Sequence, residues 1–99
     1  MELNDKVAIV TGAGSGIGRA LAIAIGATGA RSVICTDLDG NTAAETAAMI
    51  GASAAAAALD VSDEAAIAAM VAETESTLGA VDLFVSNAGY SRTGGLGLA

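Results

Sequence analysis

The segment Thr11-Gly12-Ala13-Gly14-Ser15-Gly16-Ile17-Gly18 is the part of this chain whose residue types and spacing could do chemistry. A diphosphate has to come within hydrogen-bonding distance of backbone N–H groups, and glycines remove the side chains that would hold it away. Where such a turn opens a helix, the exposed N–H groups and the positive end of the helix dipole favour the anion. Gly12, Gly14, Ser15, Gly16 and Ile17 are the expected phosphate-turn residues. Gly18 would serve another purpose, letting the helix pack closely against a strand. Glycine is 13 of the 99 residues, so the pattern alone also fits an ordinary tight turn.

Three further polar residues stand where a dinucleotide would need them. Asp37 lies nineteen residues after Gly18, where a carboxylate can accept hydrogen bonds from the adenosine ribose hydroxyls. Leu38, beside it, joins the expected cofactor contacts. A 2′-phosphate is disfavoured next to Asp37, because Arg19 and Arg31 are the guanidinium groups of the region and neither follows Asp37 in its loop. NAD is therefore expected in preference to NADP. A solvated loop acid or a helix cap is the alternative for Asp37. Asp60 could receive the adenine amino group, with Val61 against the ring, or it could cap the next helix. Asn87, Ala88 and Gly89 fall where the cofactor would cross the strand ends, although Asn beside Gly is equally a turn former. No metal-ligating set is assigned.

These residues need elements to position them. Lys6 to Thr11 is expected as a buried strand, since Val7 to Val10 are consecutively apolar. The following helix should present Ile17, Leu21 and Ile25 to a sheet and end near Gly29. Ser32 to Thr36 supplies a second buried strand, and Thr42 with Glu45 has capping-box spacing for a helix towards Ile50, ended by Gly51. Ser53 to Leu59 contains the run Ala54 to Ala58, which composition would make helical. Its place between two helices favours a strand. Ser62 is the expected cap of the next helix, with Asp63 and Glu64 in its first turn and Ile67, Met70, Val71, Thr74 and Leu78 as its inner stripe. Gly79 closes it. A fourth strand is expected over Val81 to Ser86, and residues 90–99 read as a loop or loose tail.

The order β-α-β-α-β-α-β implies an α/β fold, with parallel strands joined by right-handed crossovers and helices on both faces. Four Lys and Arg against eleven Asp and Glu leave a formal charge of -7, which disfavours nucleic acid and anionic membrane as partners. Cys35 is the single cysteine, so an internal disulfide is excluded and a reducing cytoplasm is the expected compartment. Met1 is followed by Glu2, Leu3, Asn4 and Asp5, with no sign of a signal peptide. Apolar runs fall far below the roughly 17–25 residues that span a bilayer.

At these positions the sequence resembles the short-chain dehydrogenase/reductase family. Its T-G-x-x-x-G-x-G motif is met by Thr11, Gly12, Gly16, Ile17 and Gly18, and Asp37 matches the acidic residue of NAD-preferring members. Asp60 and Val61 match the adenine-contacting pair, and Asn87-Ala88-Gly89 the N-A-G motif. The resemblance implies a Rossmann-type doubly wound parallel sheet, with residues 1–99 the amino-terminal part of a single NAD(P)-binding domain. It also implies hydride transfer between the nicotinamide and the carbinol or carbonyl carbon of a small alcohol or ketone, and a homo-oligomer, dimer or tetramer, when intact. In such enzymes a tyrosine phenolate is the acid/base, a lysine lowers its pKa and a serine steadies the substrate oxygen. These are expected in a continuation of the chain. No lysine follows Tyr90, which reads as a loop or pocket-wall residue, and Asn87 has at most a supporting role in catalysis. The alternatives are a catalytically inactive dinucleotide-binding or regulatory protein, and a structural α/β piece without a ligand.

Overall fold

The computed structural model describes residues 4–87. Its sheet begins with β1 (Val7–Val10), whose four residues are all buried because both faces of the strand are covered. Next come α1 (Gly16–Ala27), β2 (Ser32–Asp37), α2 (Gly40–Ile50), β3 (Ala54–Ala58), α3 (Glu64–Leu78) and β4 (Leu83–Val85). The strands are parallel and lie in the order β3-β2-β1-β4. The chain therefore steps outward from β1 through β2 to β3, and α3 then returns it to the far side of β1. That reversal makes the C-terminal ends of β1 and β4 a topological switch point, the place where open α/β sheets bind ligands.

Alternation along β2 shows what covers each face. Val33 and Cys35 join Ala8 and Val10 in a core closed by Ala22 and Ile25 of α1 and Ala43 of α2. Ile34 points the other way, and with the β3 alanines it lines a cavity whose far wall is Met70, Thr74 and Leu78 of α3. This is the Rossmann-type doubly wound arrangement expected from the order of elements. The alanine run is a strand, paired with β2 from Val33↔Ala54 to Asp37↔Ala58. Sheet pairing outweighs alanine's helix propensity, which is only a weak local preference.

Several local expectations are corrected. The inner row of α1 is Gly18, Ala22 and Ile25; Ile17 is 72% exposed and Leu21 37%. With α1 seated closely at Gly18, Ile17 and Leu21 turn outward while Ile25 stays inside. Thr42 does not cap α2. Asp39 does, its carboxylate accepting from Asn41 and Thr42 N–H, while the Thr42 hydroxyl donates to the Asp39 carbonyl. Glu45 pairs with Arg19 instead of reaching back along its own helix. Asp63, not Ser62, caps α3 through Ala66 N–H. Of the expected α3 stripe, Met70, Thr74 and Leu78 line the cavity under the sheet, and Thr74 is the buried one; Ile67 and Val71 are half-buried. β1, β3 and β4 are each shorter than the expected spans, and β2 runs one residue further, to Asp37.

Ile9 is completely buried at the centre of the sheet, so Ile9→Ala should destabilise the protein by about 2–5 kcal/mol in denaturant titration. Met49→Ala, at a position 56% exposed, should stay within about 0.5 kcal/mol.

Candidate functional site

The strand exits bring the glycine turn after β1, Asp37 at the end of β2, Asp60 after β3 and Asn87 after β4 to one edge of the sheet. Thr11 joins the two exits that form the switch point. Its N–H donates to the Val85 carbonyl at 2.9 Å, its hydroxyl to the same carbonyl at 3.2 Å, and its oxygen accepts Asn87 N–H at 2.8 Å. The Asn87 side chain is thereby held beside α1, where a Cβ on Gly18 would stand 2.8 Å from its Nδ2. The same Cβ would collide with the Gly12 carbonyl. Gly18 thus permits close approach of α1 to the turn itself, where the sequence suggested a neighbouring strand.

Gly12 and Gly16 have φ of 64° and 57°, a left-handed conformation that glycine adopts without strain. A Cβ on Gly16 would meet nothing within 4 Å, so the turn is open there. The first N–H groups of any helix lack intrahelical acceptors, and the Ser15 side chain makes no capping bond to those of α1. Aspartates cap α2 and α3. An open glycine cradle over uncapped N–H groups fits a diphosphate.

The remainder of the turn is committed to the protein. Ala13 N–H donates to the Thr36 carbonyl at 2.8 Å, and the Ala13 carbonyl accepts the Thr46 hydroxyl at 2.6 Å. Gly14 N–H donates to Asp37 Oδ2 at 2.9 Å, and a Cβ on Gly14 would strike Thr42 and that carboxylate. Gly14 therefore orients Asp37, whereas the sequence placed it among the phosphate-turn residues. Thr36 and Thr46 are fully buried, and the Thr36 hydroxyl donates to the Val10 carbonyl. Sequence reasoning missed both. The available signal was a hydroxyl on an otherwise apolar strand and one on the inner row of an alanine-rich helix.

Asp37 is half-buried, and Asp39 N–H donates to its other oxygen at 3.1 Å. A carboxylate offers about four acceptor positions, so both oxygens retain capacity for the two hydroxyls of a ribose. Leu38 and Ile17, each 72% exposed, carry apolar surface at the exits of β2 and of the turn. Arg19 is not beside Asp37. Its Nε donates to Thr46 Oγ1 at 2.9 Å, and its Nη2 meets Glu45 Oε1 at 3.1 Å. Arg31 precedes β2, at the opposite edge of the sheet.

Asp60 is exposed, and both Ser62 donors reach its Oδ1, the hydroxyl at 2.6 Å and the N–H at 2.9 Å. The Ser62 hydroxyl, then its N–H, hold the Asp60 carboxyl below the usual carboxylate range. Val61 beside it is half-buried. Ala88, Gly89, Tyr90 and the segment 90–99 lie outside the described residues. Among the described residues no group of three or more His, Cys, Asp or Glu could hold a metal ion. No helix among them is long and apolar enough to cross a membrane.

Ser62→Ala should move the Asp60 titration upward, towards the ordinary carboxylate value, as read by carboxyl-carbon NMR. The sign follows from linkage: a carboxyl held low in the folded state contributes fully above its unfolded pKa, and the contribution is lost as pH falls through the folded one.

Residues 6–97 match the family described as short chain dehydrogenase. Galactitol 2-dehydrogenase of Agrobacterium fabrum is 47% identical over 88 residues, covering 89% of this chain and 34% of the relative. The 3-oxoacyl-[acyl-carrier-protein] reductase of Escherichia coli is 39% identical over 92 residues, 93% of this chain and 37% of the relative. A crystal structure of hydroxysteroid dehydrogenase from Escherichia coli superposes with a TM-score of 0.80 at 37% identity, covering 89% of this chain and 38% of that one. The chain thus spans about a third of the length of these relatives. With the glycine turn at the switch point and the match running through all four strands, the chain belongs to the short chain dehydrogenase family and forms its cofactor-binding region.

Proposed function

We propose that these residues form the NAD site of an oxidoreductase that moves a hydride between NAD and the carbinol or carbonyl carbon of a small alcohol or ketone. The observation that carries this reading is Asp37, whose carboxylate is oriented by Gly14 and Asp39 N–H groups one strand away from the open turn. A carboxylate in that place accepts hydrogen bonds from a ribose diol and repels a 2′-phosphate. Neither nearby arginine relieves the repulsion, since Arg19 is bound to α2 and Arg31 lies at the other edge.

Within this reading, Ser15, Gly16 and Ile17 at the start of α1 hold the diphosphate, with Gly12 giving the turn its left-handed entry and Gly18 letting α1 close on the turn. Leu38 and Val61 flank the adenine, and Asp60 accepts its amino group through an oxygen that Ser62 leaves unused. Asn87, Ala88 and Gly89 border the path towards the nicotinamide, with Asn87 organising the backbone there through Thr11. The bound dinucleotide supplies the hydride donor and acceptor. Proton transfer and substrate binding belong to a continuation of the protein, which works as a homo-oligomer in the cytoplasm. Cys35 suits a reducing compartment, its thiol buried and its pKa pushed up by desolvation. The relatives named galactitol 2-dehydrogenase and sorbitol dehydrogenase, both 47% identical, favour a polyhydroxy alcohol among substrates.

NADH should bind more tightly than NADPH in calorimetric titration of the protein, and tighter NADPH binding would overturn the role given to Asp37. Asp37→Asn should weaken NADH about 10- to 100-fold, the scale of losing charged hydrogen bonds. The complete protein should reduce NAD with an alcohol of the sugar-alcohol class. Saturable NADH binding without turnover across a panel of alcohols and ketones would sink the oxidoreductase reading while leaving the cofactor site intact.

A further inference from the structure

The peptide unit between Ala13 and Gly14 is held at both ends by side chains from different elements. Its carbonyl accepts the Thr46 hydroxyl from α2 at 2.6 Å, and its N–H donates to Asp37 Oδ2 at the end of β2 at 2.9 Å. Thr46 is completely buried. Its hydroxyl has one proton and two acceptors in range, the Ala13 carbonyl and, at 3.3 Å, the Thr42 carbonyl of its own helix. The shorter bond across the interface takes the proton. Arg19 Nε donates to the same oxygen at 2.9 Å and occupies one of its lone pairs, which helps to direct the hydroxyl hydrogen towards Ala13.

A planar peptide cannot turn its N–H without turning its carbonyl. Whatever fixes the Ala13 carbonyl also fixes the direction from which Gly14 N–H meets Asp37. We infer that Thr46 is a positioning residue for cofactor discrimination: through this peptide it holds the Asp37 carboxylate in the attitude that accepts a ribose diol and excludes a 2′-phosphate. Resting on the assignment of Asp37 to the ribose, the role extends that site to a residue on a second helix. Buried among Ala13, Thr42 and Arg19, Thr46 acts through the protein. Its side chain acts by satisfying a buried carbonyl that would otherwise be free to reorient.

The effect on the two dinucleotides is unequal. A loosened Asp37 gives weaker bonds to the NADH ribose and also yields more readily before the extra phosphate of NADPH. General loosening of the turn would weaken both alike, because the diphosphate is common to them. The ratio of the NADPH to the NADH dissociation constant therefore separates positioning from mere stability.

In calorimetric titrations of the protein, Thr46→Val should lower that ratio about fivefold or more, the scale of one hydrogen bond, and Thr46→Ser should restore it. Hydrogen exchange of Gly14 N–H in the protein without nucleotide should accelerate in Thr46→Val relative to Ile9 N–H. If Thr46→Val does not fold, Arg19→Met, which removes the donor to Thr46, should shift ratio and exchange in the same direction by less. A ratio unchanged within about twofold, with Gly14 exchange also unchanged, would overturn the inference. A wild-type protein that shows no NADH preference would overturn the role of Asp37 instead. Gly14 exchange then still decides whether Thr46 governs the peptide.

Discussion

A turn that leaves some of its N–H groups open must find protein partners for every other polar atom it buries, and that constraint organises this structure. Here the partners are three threonines and one aspartate. Thr36 takes Ala13 N–H, Thr46 takes the Ala13 carbonyl, Asp37 takes Gly14 N–H, and Thr11 ties the strand before the turn to β4. Thr36 and Asp37 lie on β2, Thr46 on α2, and Thr11 directly after β1. The turn is therefore fixed only when β1, β2, β4 and α2 are assembled, and its geometry is a property of the fold more than of its own glycines.

The same economy governs how closely the layers approach. Gly18 leaves room for the Gly12 carbonyl, and Gly26 stands where a Cβ would press on Ile50 of α2. Ala22, Ala43 and Ala47 occupy the space between α1, α2 and the sheet. Small side chains reduce the apolar area each position can bury, and the large buried groups are concentrated in the two central strands, at Val7, Ile9, Val10 and Val33. Arg19 joins α1 to α2 with a partly covered guanidinium bound to Thr46 and Glu45, supplying polar specificity where apolar contact is thin.

The order of elements and the gathering of Asp37, Asp60 and Asn87 at one edge were legible in the sequence, because unbroken apolar runs mark buried strands and parallel connections bring their exits together. What escaped was decided by distances that spacing does not encode. The rows Ile17-Leu21-Ile25 and Gly18-Ala22-Ile25 share Ile25 and differ at the other two positions, and the bulkier row looked like the inner one until close packing at Gly18 chose the other. At both later caps an aspartate takes the place expected of a hydroxyl residue: Asp39 and Asp63 cap α2 and α3, while the Thr42 and Ser62 hydroxyls donate to Asp39 and Asp60. Thr46 was invisible for a different reason: its partners lie across an interface, 33 residues away at Ala13 and 27 at Arg19.

Five consecutive alanines in β3 pair with β2, and a strand of identical side chains carries no internal label of its alignment. Sliding it by two residues would still put alanine opposite at least three of the same five neighbours. The label is supplied by the residue that follows. Leu59 is buried, and its N–H donates to the Asp37 carbonyl at 2.9 Å. That single large side chain breaks the degeneracy of the run, and it is what makes the distance from Asp37 to Asp60 a defined quantity.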